Sequence, residues 1–396
     1  MKDRDELAVI GIGEHPTGWF PEKTCINMAI EVAKEAILDA GIDKDIIDGV
    51  LLMPPLSMEL DEHELTCGRL IEELGLNGVR FLGQTQGGGD STVMAKITAD
   101  GLISSGVAEV VMVIQSQAYS SVSEEEMRRF FSTNSGVYEE WEYPYGFTYN
   151  SLVALTAQRY AYETGLTDEQ RASLVVSLRK WAQLNPHARF RKDISVEAVL
   201  NSKMISSPLH AYECNILSDG AGAFILTSAK KAKKIGKKAP VYLLGKGHGG
   251  VTHFSIIQKR DKDFTRLGYD KAAKIAFDKT GLTVKDIDVA ELYGSYPVFD
   301  LMQFEDIGFC GRGEGGKLYL KGETSPGGKI PVNTNGEIQQ GHSGLGVGMS
   351  TFLEAVRQVR GEAGERQVPD VKIALVADAG GQIMDSHVTI VGREPL

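Results

Sequence analysis

Short apolar runs recur along the chain with little polar alternation: Leu7–Ile12, Val110–Gln115, Ala223–Thr227, Val241–Leu244, Val371–Ala377 and Val388–Val391. A strand covered on both faces reads as a continuous apolar run, whereas a half-exposed strand alternates. Each run therefore predicts a buried strand. Between the runs the spacing changes to that of helices. Over Ile26–Ala40, the residues Met28, Ala29, Val32, Ala33, Ala36 and Ile37 fall on one side of a predicted helix. Strands alternating with amphipathic helices predict an α/β architecture.

The pattern also repeats. AIEVAKEAILDAGIDKDIIDGVLL (29–52) aligns without gaps on YDKAAKIAFDKTGLTVKDIDVAEL (269–292), with Gly41 on Gly281 and Asp48 on Asp288. A glycine just past a helix supplies its left-handed cap, so both glycines read as stops before a short strand. A second echo comes after each copy: Asp90–Gly106 and Gly346–Gly361 both read as helices entered from glycine-rich turns and leading into apolar strands. The chain therefore predicts two similar halves, 1–235 and 236–396. An insertion at about 117–215 in the first half includes the aromatic, acidic run VYEEWEYPYGFTY. The lysine-rich AKKAKKIGKK (229–238) reads as a solvated helix end and linker.

Composition narrows the function classes. With 396 residues, 42% hydrophobic and 24% charged, the chain is long enough for a large buried core. The formal charge is 42 − 53 = −11, which argues against nucleic acid or acidic membranes as partners. The four cysteines, at 25, 67, 214 and 310, form no CxxC or Cys/His cluster, so no metal site is expected. Unclustered cysteines, no signal-like N-terminus and no apolar run near ~18 residues give a cytoplasmic expectation with no membrane insertion.

Catalytic groups in open α/β sheets gather at turns beyond strand ends. Four turns carry candidate chemistry. In GQTQGGGDS (83–91), Gly87, Gly88 and Gly89 let backbone approach a ligand before a helix N-terminus, and Ser91 comes next. A tight strand-to-helix connection accounts for those glycines equally well. In ELYGSYP (291–297), the Tyr293 and Tyr296 hydroxyls can donate to an oxyanion or move a proton, unless both rings are ordinary packing. In NTNGEIQQGHSGLGVG (333–348), His342 on a polar turn can act as acid, base or oxyanion donor, or merely cap a helix. In ADAGGQIMDSH (377–387), the titratable Asp378 and His387 flank Gly380, where a solvated turn without a chemical role is the plainer reading.

These four turns, in this order over a duplicated chain, resemble the thiolase superfamily, and the likeness covers nearly the whole sequence. The segment 185–226, ending in SDGAGAFIL, is similar to the Ser-Asp-Gly strand entry of sterol-carrier-type thiolases. The segment 328–368 is similar to their Gly-His loop and the helix after it. The resemblance implies a five-layered αβαβα fold of two similar halves, a homodimer core and an acyl-CoA substrate. Coenzyme A then enters as part of the substrate, with no cofactor bound by the chain itself. It also implies that Gly247 and Ser255 lie near the loops that approach pantetheine.

This sequence departs from the family at its nucleophile. Where a thiolase carries the cysteine that becomes acylated, residues 86–91 read QGGGDS; the second family cysteine falls in Asp378-Ala379-Gly380, and Tyr293 stands at the third motif's His or Asn. Only the Gly-His loop, at His342, is kept. Acyl transfer through sulfur requires a thiolate. What remains suits enolate stabilisation: His342 and backbone N–H groups hold the thioester oxygen while Tyr293 moves a β-hydroxyl proton. The resemblance then implies retro-aldol cleavage, as in steroid side-chain aldolases, which work with a small partner carrying an OB-fold and often a zinc ribbon. Those aldolases carry a tyrosine in the third loop, where His342 stands. Two rival readings are a partner-dependent thiolase, in which free CoA attacks a β-ketoacyl-CoA directly, and an inactive acyl-CoA-binding scaffold subunit.

Overall fold

The computed structural model describes residues 6–53, 66–250, 265–339, 341, 348–380 and 385–396. His342 and Ser255, both singled out from the sequence, lie outside the described residues.

The first strands are β1 (Leu7–Glu14), β2 (Gly49–Met53), β3 (Phe81–Gln84) and β4 (Val110–Gln117). A small hairpin, β5 (Met204–Ser206) with β6 (Leu209–His210), precedes β7 (Gly220–Ser228). The second set is β8 (Val241–His248), β9 (Val289–Leu292), β10 (Ile373–Gly380) and β11 (Asp385–Gly392). All six apolar runs thus form strands, and the first predicted helix forms over Cys25–Ala40. Among the described residues, no helix is long and apolar enough to cross a membrane.

Nine strands join in the order β3-β2-β4-β7-β1-β8-β11-β10-β9. Reading β2-β4-β7-β1 against β9-β10-β11-β8 gives the same pairing twice: parallel, antiparallel, antiparallel. The two sets meet where β1 and β8 pair at Ala8–Tyr242 and Val9–Val241. Alternate residues of one strand face opposite ways, and here both faces are buried. In β1 and β4, Ala8, Ile10, Val110 and Met112 pack on the helix Cys25–Ala40. Their neighbours Val9, Val111 and Val113 pack on Ala95, Ala99, Phe352 and Val356 from two central helices, Ser91–Ser105 and Met349–Arg360. Val376 and Val391 close that central layer from the other side, while Leu375, Ala377 and Ile390 face an outer layer containing Ala272, Ala276 and Phe299. The layers run helix, sheet, helix, sheet, helix, which makes a five-layered α/β fold.

The repeat read from the sequence folds as the same device in both places. Gly41 and Gly281 cap their helices at φ 63° and 72°. Asp48 then accepts the backbone N–H groups of Glu109 and Val110 at 2.8 Å each. Asp288 accepts those of Lys372 and Ile373 at 2.8 and 2.9 Å. Each carboxylate clasps its short strand to the start of the neighbouring one, β4 or β10. In the lysine-rich linker, Lys238 meets Asp39 at 2.5 Å and Glu362 at 2.9 Å, so part of that segment ties distant helices together.

Candidate active site

The strand ends of both sets open on a cavity of about 1260 Å³. Among the described residues, its lining draws on three of the four turns: Gly87, Gly88 and Gly89; Tyr293 and Tyr296; and Gly380. The contact between them is intimate. A Cβ built on Gly89 would stand 2.2 Å from the carbonyl oxygen of Ala379 and 3.0 Å from the Tyr293 ring. Glycine at position 89 is therefore what lets the first turn touch the second and fourth.

The other two glycines leave no more room. A Cβ on Gly87 would meet Oδ1 of Asp90 at 2.3 Å, and Gly88 holds φ 74°, a left-handed backbone that side chains disfavour. Ser91 does not line the cavity. Its hydroxyl donates to the Gly88 carbonyl at 2.7 Å and accepts from the Gly87 N–H at 3.1 Å, which closes the turn.

Tyr293 follows the last residue of β9, and its backbone is fixed on both sides: its N–H donates to Ala377, and Gln303 donates to its carbonyl. The side chain is 4% exposed, and Ser295 Oγ donates to its hydroxyl at 3.0 Å. Burial holds the Tyr293 phenol well above its ordinary pKa, so it stays protonated at neutral pH. It can donate a proton or hydrogen bond and cannot rest as a base. Ser295 holds φ 63°, a costly conformation for serine, at the turn that aims this ring. Tyr296 lines the same wall, but its hydroxyl donates to Asn150 and its ring packs edge-on against Tyr149.

Two expected site residues sit elsewhere. Asp378 is fully buried beneath the cavity, 3.3 Å from Lys96 Nζ, and does not line it. Burial pushes Asp378 up and Lys96 down, and the aspartate occupies the space beside Gly348 that a side chain there would need. Gly247 lies within β8 and away from the cavity; its missing Cβ makes way for the Ala272 carbonyl, which would stand 1.9 Å from it. Both positions serve packing between layers.

Of the aromatic run 137–149, Thr148 and Tyr149 line the cavity, whereas Trp141 and Tyr145 point to solvent, 76% and 87% exposed. Beside Tyr149, the bulky wall is built from Met127, Phe130 and Phe131 on the preceding helix, Glu124–Asn134.

The cavity also contains groups to which the sequence assigns no definite role. Cys214 lines it, and burial pushes its thiol up to about 12, so it carries no thiolate at neutral pH. Asp90 and Asp385 line it as well, and both lie near Nε2 of His387. The adjacency of Asp90 to three glycines is the one available signal; nothing in sequence spacing ties it to residue 385.

Residues 249–393 match the family described as thiolase C-terminal domain-like. The whole chain is similar to an acetyl-CoA acetyltransferase of Methanothermobacter thermautotrophicus, 31% identical over 98% of this chain and all of that one. It is 29% identical to the 17-hydroxy-3-oxo-4-pregnene-20-carboxyl-CoA lyase of Mycobacterium tuberculosis, over 90% of this chain and 92% of the other. Among solved structures, the Ltp2-ChsH2(DUF35) aldolase superposes with a TM-score of 0.81 at 26% identity, covering 98% of this chain and 97% of its own.

Proposed function

The chain belongs to the thiolase superfamily, and from that premise we propose that it cleaves a β-hydroxyacyl-CoA by a retro-aldol step, with no acyl group carried on protein sulfur. It is an enzyme of that superfamily's C–C lyase and acyl-CoA acyltransferase chemistry, and its relatives divide between the two. The observation that carries the lyase reading is the glycine turn. At Gly87 and Gly89 a side chain would collide with Asp90 or with the Ala379 carbonyl, and at Gly88 the backbone is left-handed, which supports a route that needs no nucleophile at this turn. Among the described residues, the thiol that faces the cavity, Cys214, is protonated. A thiolate route therefore lacks its first requirement.

The retro-aldol step asks for less. The β-hydroxyl loses its proton, the Cα–Cβ bond breaks, and its electron pair is held as a thioester enolate until Cα is protonated. Tyr293, kept as a phenol, is positioned to stabilise that enolate and to supply the proton. This reverses the direction of transfer expected from sequence, because burial removes the phenolate that would have accepted a proton. His342, next to Gly341 in the glycine-rich loop, is assigned the thioester oxygen on resemblance alone. Met127, Phe130 and Phe131 suit a bulky acyl group. A second copy of the chain and a small OB-fold or zinc-ribbon subunit are the proposed partners.

The test supplies purified chain, with and without such a subunit, with β-hydroxyacyl-CoA. Release of an aldehyde or ketone and a shorter acyl-CoA, without consumption of free CoA, supports the reading. Turnover of β-ketoacyl-CoA that requires free CoA and yields two thioesters replaces it with the direct thiolase.

A further inference from the structure

The retro-aldol step needs a base for the β-hydroxyl, and Tyr293 is not one. A separate cluster of titratable groups faces the same cavity. On β11, His387 is 1% exposed, and its Nε2 lies 3.1 Å from Oδ2 of Asp90 and 3.2 Å from Oδ2 of Asp385. Two carboxylates share one ring nitrogen when that nitrogen carries a proton. The hydrogen bonds and charges of Asp385 and Asp90 outweigh burial and push the imidazole up to about 9. In return, the hydrogen bond from His387 holds Asp385 below its ordinary carboxyl range, so that it is ionised. The Nδ1 of His387 has no hydrogen-bond partner among the described residues, so Nε2 alone anchors the ring.

Asp90, Asp385 and His387 form one hydrogen-bonded cluster, and its two carboxyl groups face the cavity. Asp90 and Asp385 line the wall, whereas His387 stands behind them. Oδ1 of Asp90 is buried without a hydrogen-bond partner, and Asp385 is 42% exposed at the cavity surface. The neighbouring basic groups are occupied or neutral. Lys96 is engaged by Asp378 and Thr389. The ring of His248 packs edge-on against His387, and burial, with the His387 charge, lowers it to about 4, so it stays neutral. Gly380, directly opposite Asp385 in the β10–β11 register, also abuts the Asp90 carboxylate: a Cβ there would come within 2.8–3.0 Å of it. Gly89, beside Asp90 in the chain, touches Tyr293. The cluster and the phenol thus flank one turn.

We propose that Asp385, with Asp90 and the imidazolium of His387 behind it, is the base that takes the β-hydroxyl proton; this rests on the function proposed above. The O–H pair becomes the carbonyl π bond of the leaving aldehyde or ketone. The Cα–Cβ pair passes to the thioester enolate, and Cα receives a proton from Tyr293. The proton held by Asp385 then returns to the tyrosine through the cavity, so substrate becomes two products with no other reactant.

The experiment compares wild type with Asp385→Ala, using the chain together with its partner subunit if that is required for turnover. The expected result is a fall in kcat of about 100-fold with KM within about threefold, and recovery of at least about tenfold on adding formate as a diffusible base. Unchanged kcat, or a loss that formate does not restore while Asp385→Asn retains activity, overturns the base. Activity abolished by a chelator and restored by Mn²⁺ also overturns it, by assigning the three side chains to a cation, since their ligand atoms lie within 4.8 Å of one another. No cleavage by the wild type defeats the retro-aldol reading, and this inference with it.

Discussion

The two copies of the helix–stop–clasp–strand unit share a scaffold and differ at the strand end. Gly41 and Gly281 end their helices with the same left-handed turn, and Asp48 and Asp288 clasp the same two backbone N–H groups. Beyond the strands the copies part. β2 ends on Met53, buried against the Thr92 hydroxyl, while β9 runs into Tyr293 at the wall of the cavity. The same frame occurs twice, and in the proposed mechanism the chemistry sits at one strand end. Changes in the frame should cost stability, and changes at the turn should cost rate.

Tyr293→Phe probes the turn with the largest expected effect. It removes one hydroxyl and keeps the ring, so kcat should fall about 100-fold, equivalent to ~2.7 kcal/mol, with little change in Tm. An unchanged rate would return this tyrosine to packing. Gly89→Ala strikes frame and turn together. Its Cβ meets the Ala379 carbonyl, and chemical denaturation should show a loss of about 2 kcal/mol alongside slower turnover. Asp288→Ala and Asp48→Ala sharpen the contrast. Each removes the acceptor of two backbone N–H groups that water can reach and should cost about 1 kcal/mol, somewhat more at Asp48, which also pairs with Arg80, with kcat/KM of surviving protein unaltered. Gly281→Ala, at a left-handed position with open space around it, should cost only about 1 kcal/mol.

The smallest effect is a pH dependence. His387 is raised from its ordinary value of 6.5 to about 9 in the folded state. A raised pKa contributes stability that is full below pH 6.5 and lost as pH rises through 9. The Tm of the wild type should therefore decline between about pH 7 and 10 more steeply than that of His387→Asn. Parallel curves would mean that the two carboxylates do not hold its proton.

Local forces are the ones a sequence makes legible. Buried strands, helix stops and the repeat are written as apolar runs, glycines and aspartates at fixed spacing, and all of them form. The three glycines at 87–89 and Tyr293 are visible because backbone and turn chemistry are local. The pairing of Asp385 with Asp90 is not, because only the fold brings residues from opposite halves of the chain onto one imidazole. That Gly247 and Asp378 lie off the cavity is hidden for a related reason: a glycine or carboxylate near a motif looks the same in sequence whether it meets a ligand or a neighbouring element. Cys214 is invisible as a cavity residue, since it comes from the insertion and no motif surrounds it.

The central claim is that carbon–carbon cleavage proceeds in this cavity without acylating sulfur. Intact-protein mass spectrometry of enzyme quenched during steady turnover, with free CoA counted in the same samples, tests it most directly. The expected result is an unshifted protein mass and one aldehyde or ketone for each shorter acyl-CoA, with CoA unconsumed. An acyl adduct on Cys214 or any other thiol, or one CoA used per turnover, would contradict it.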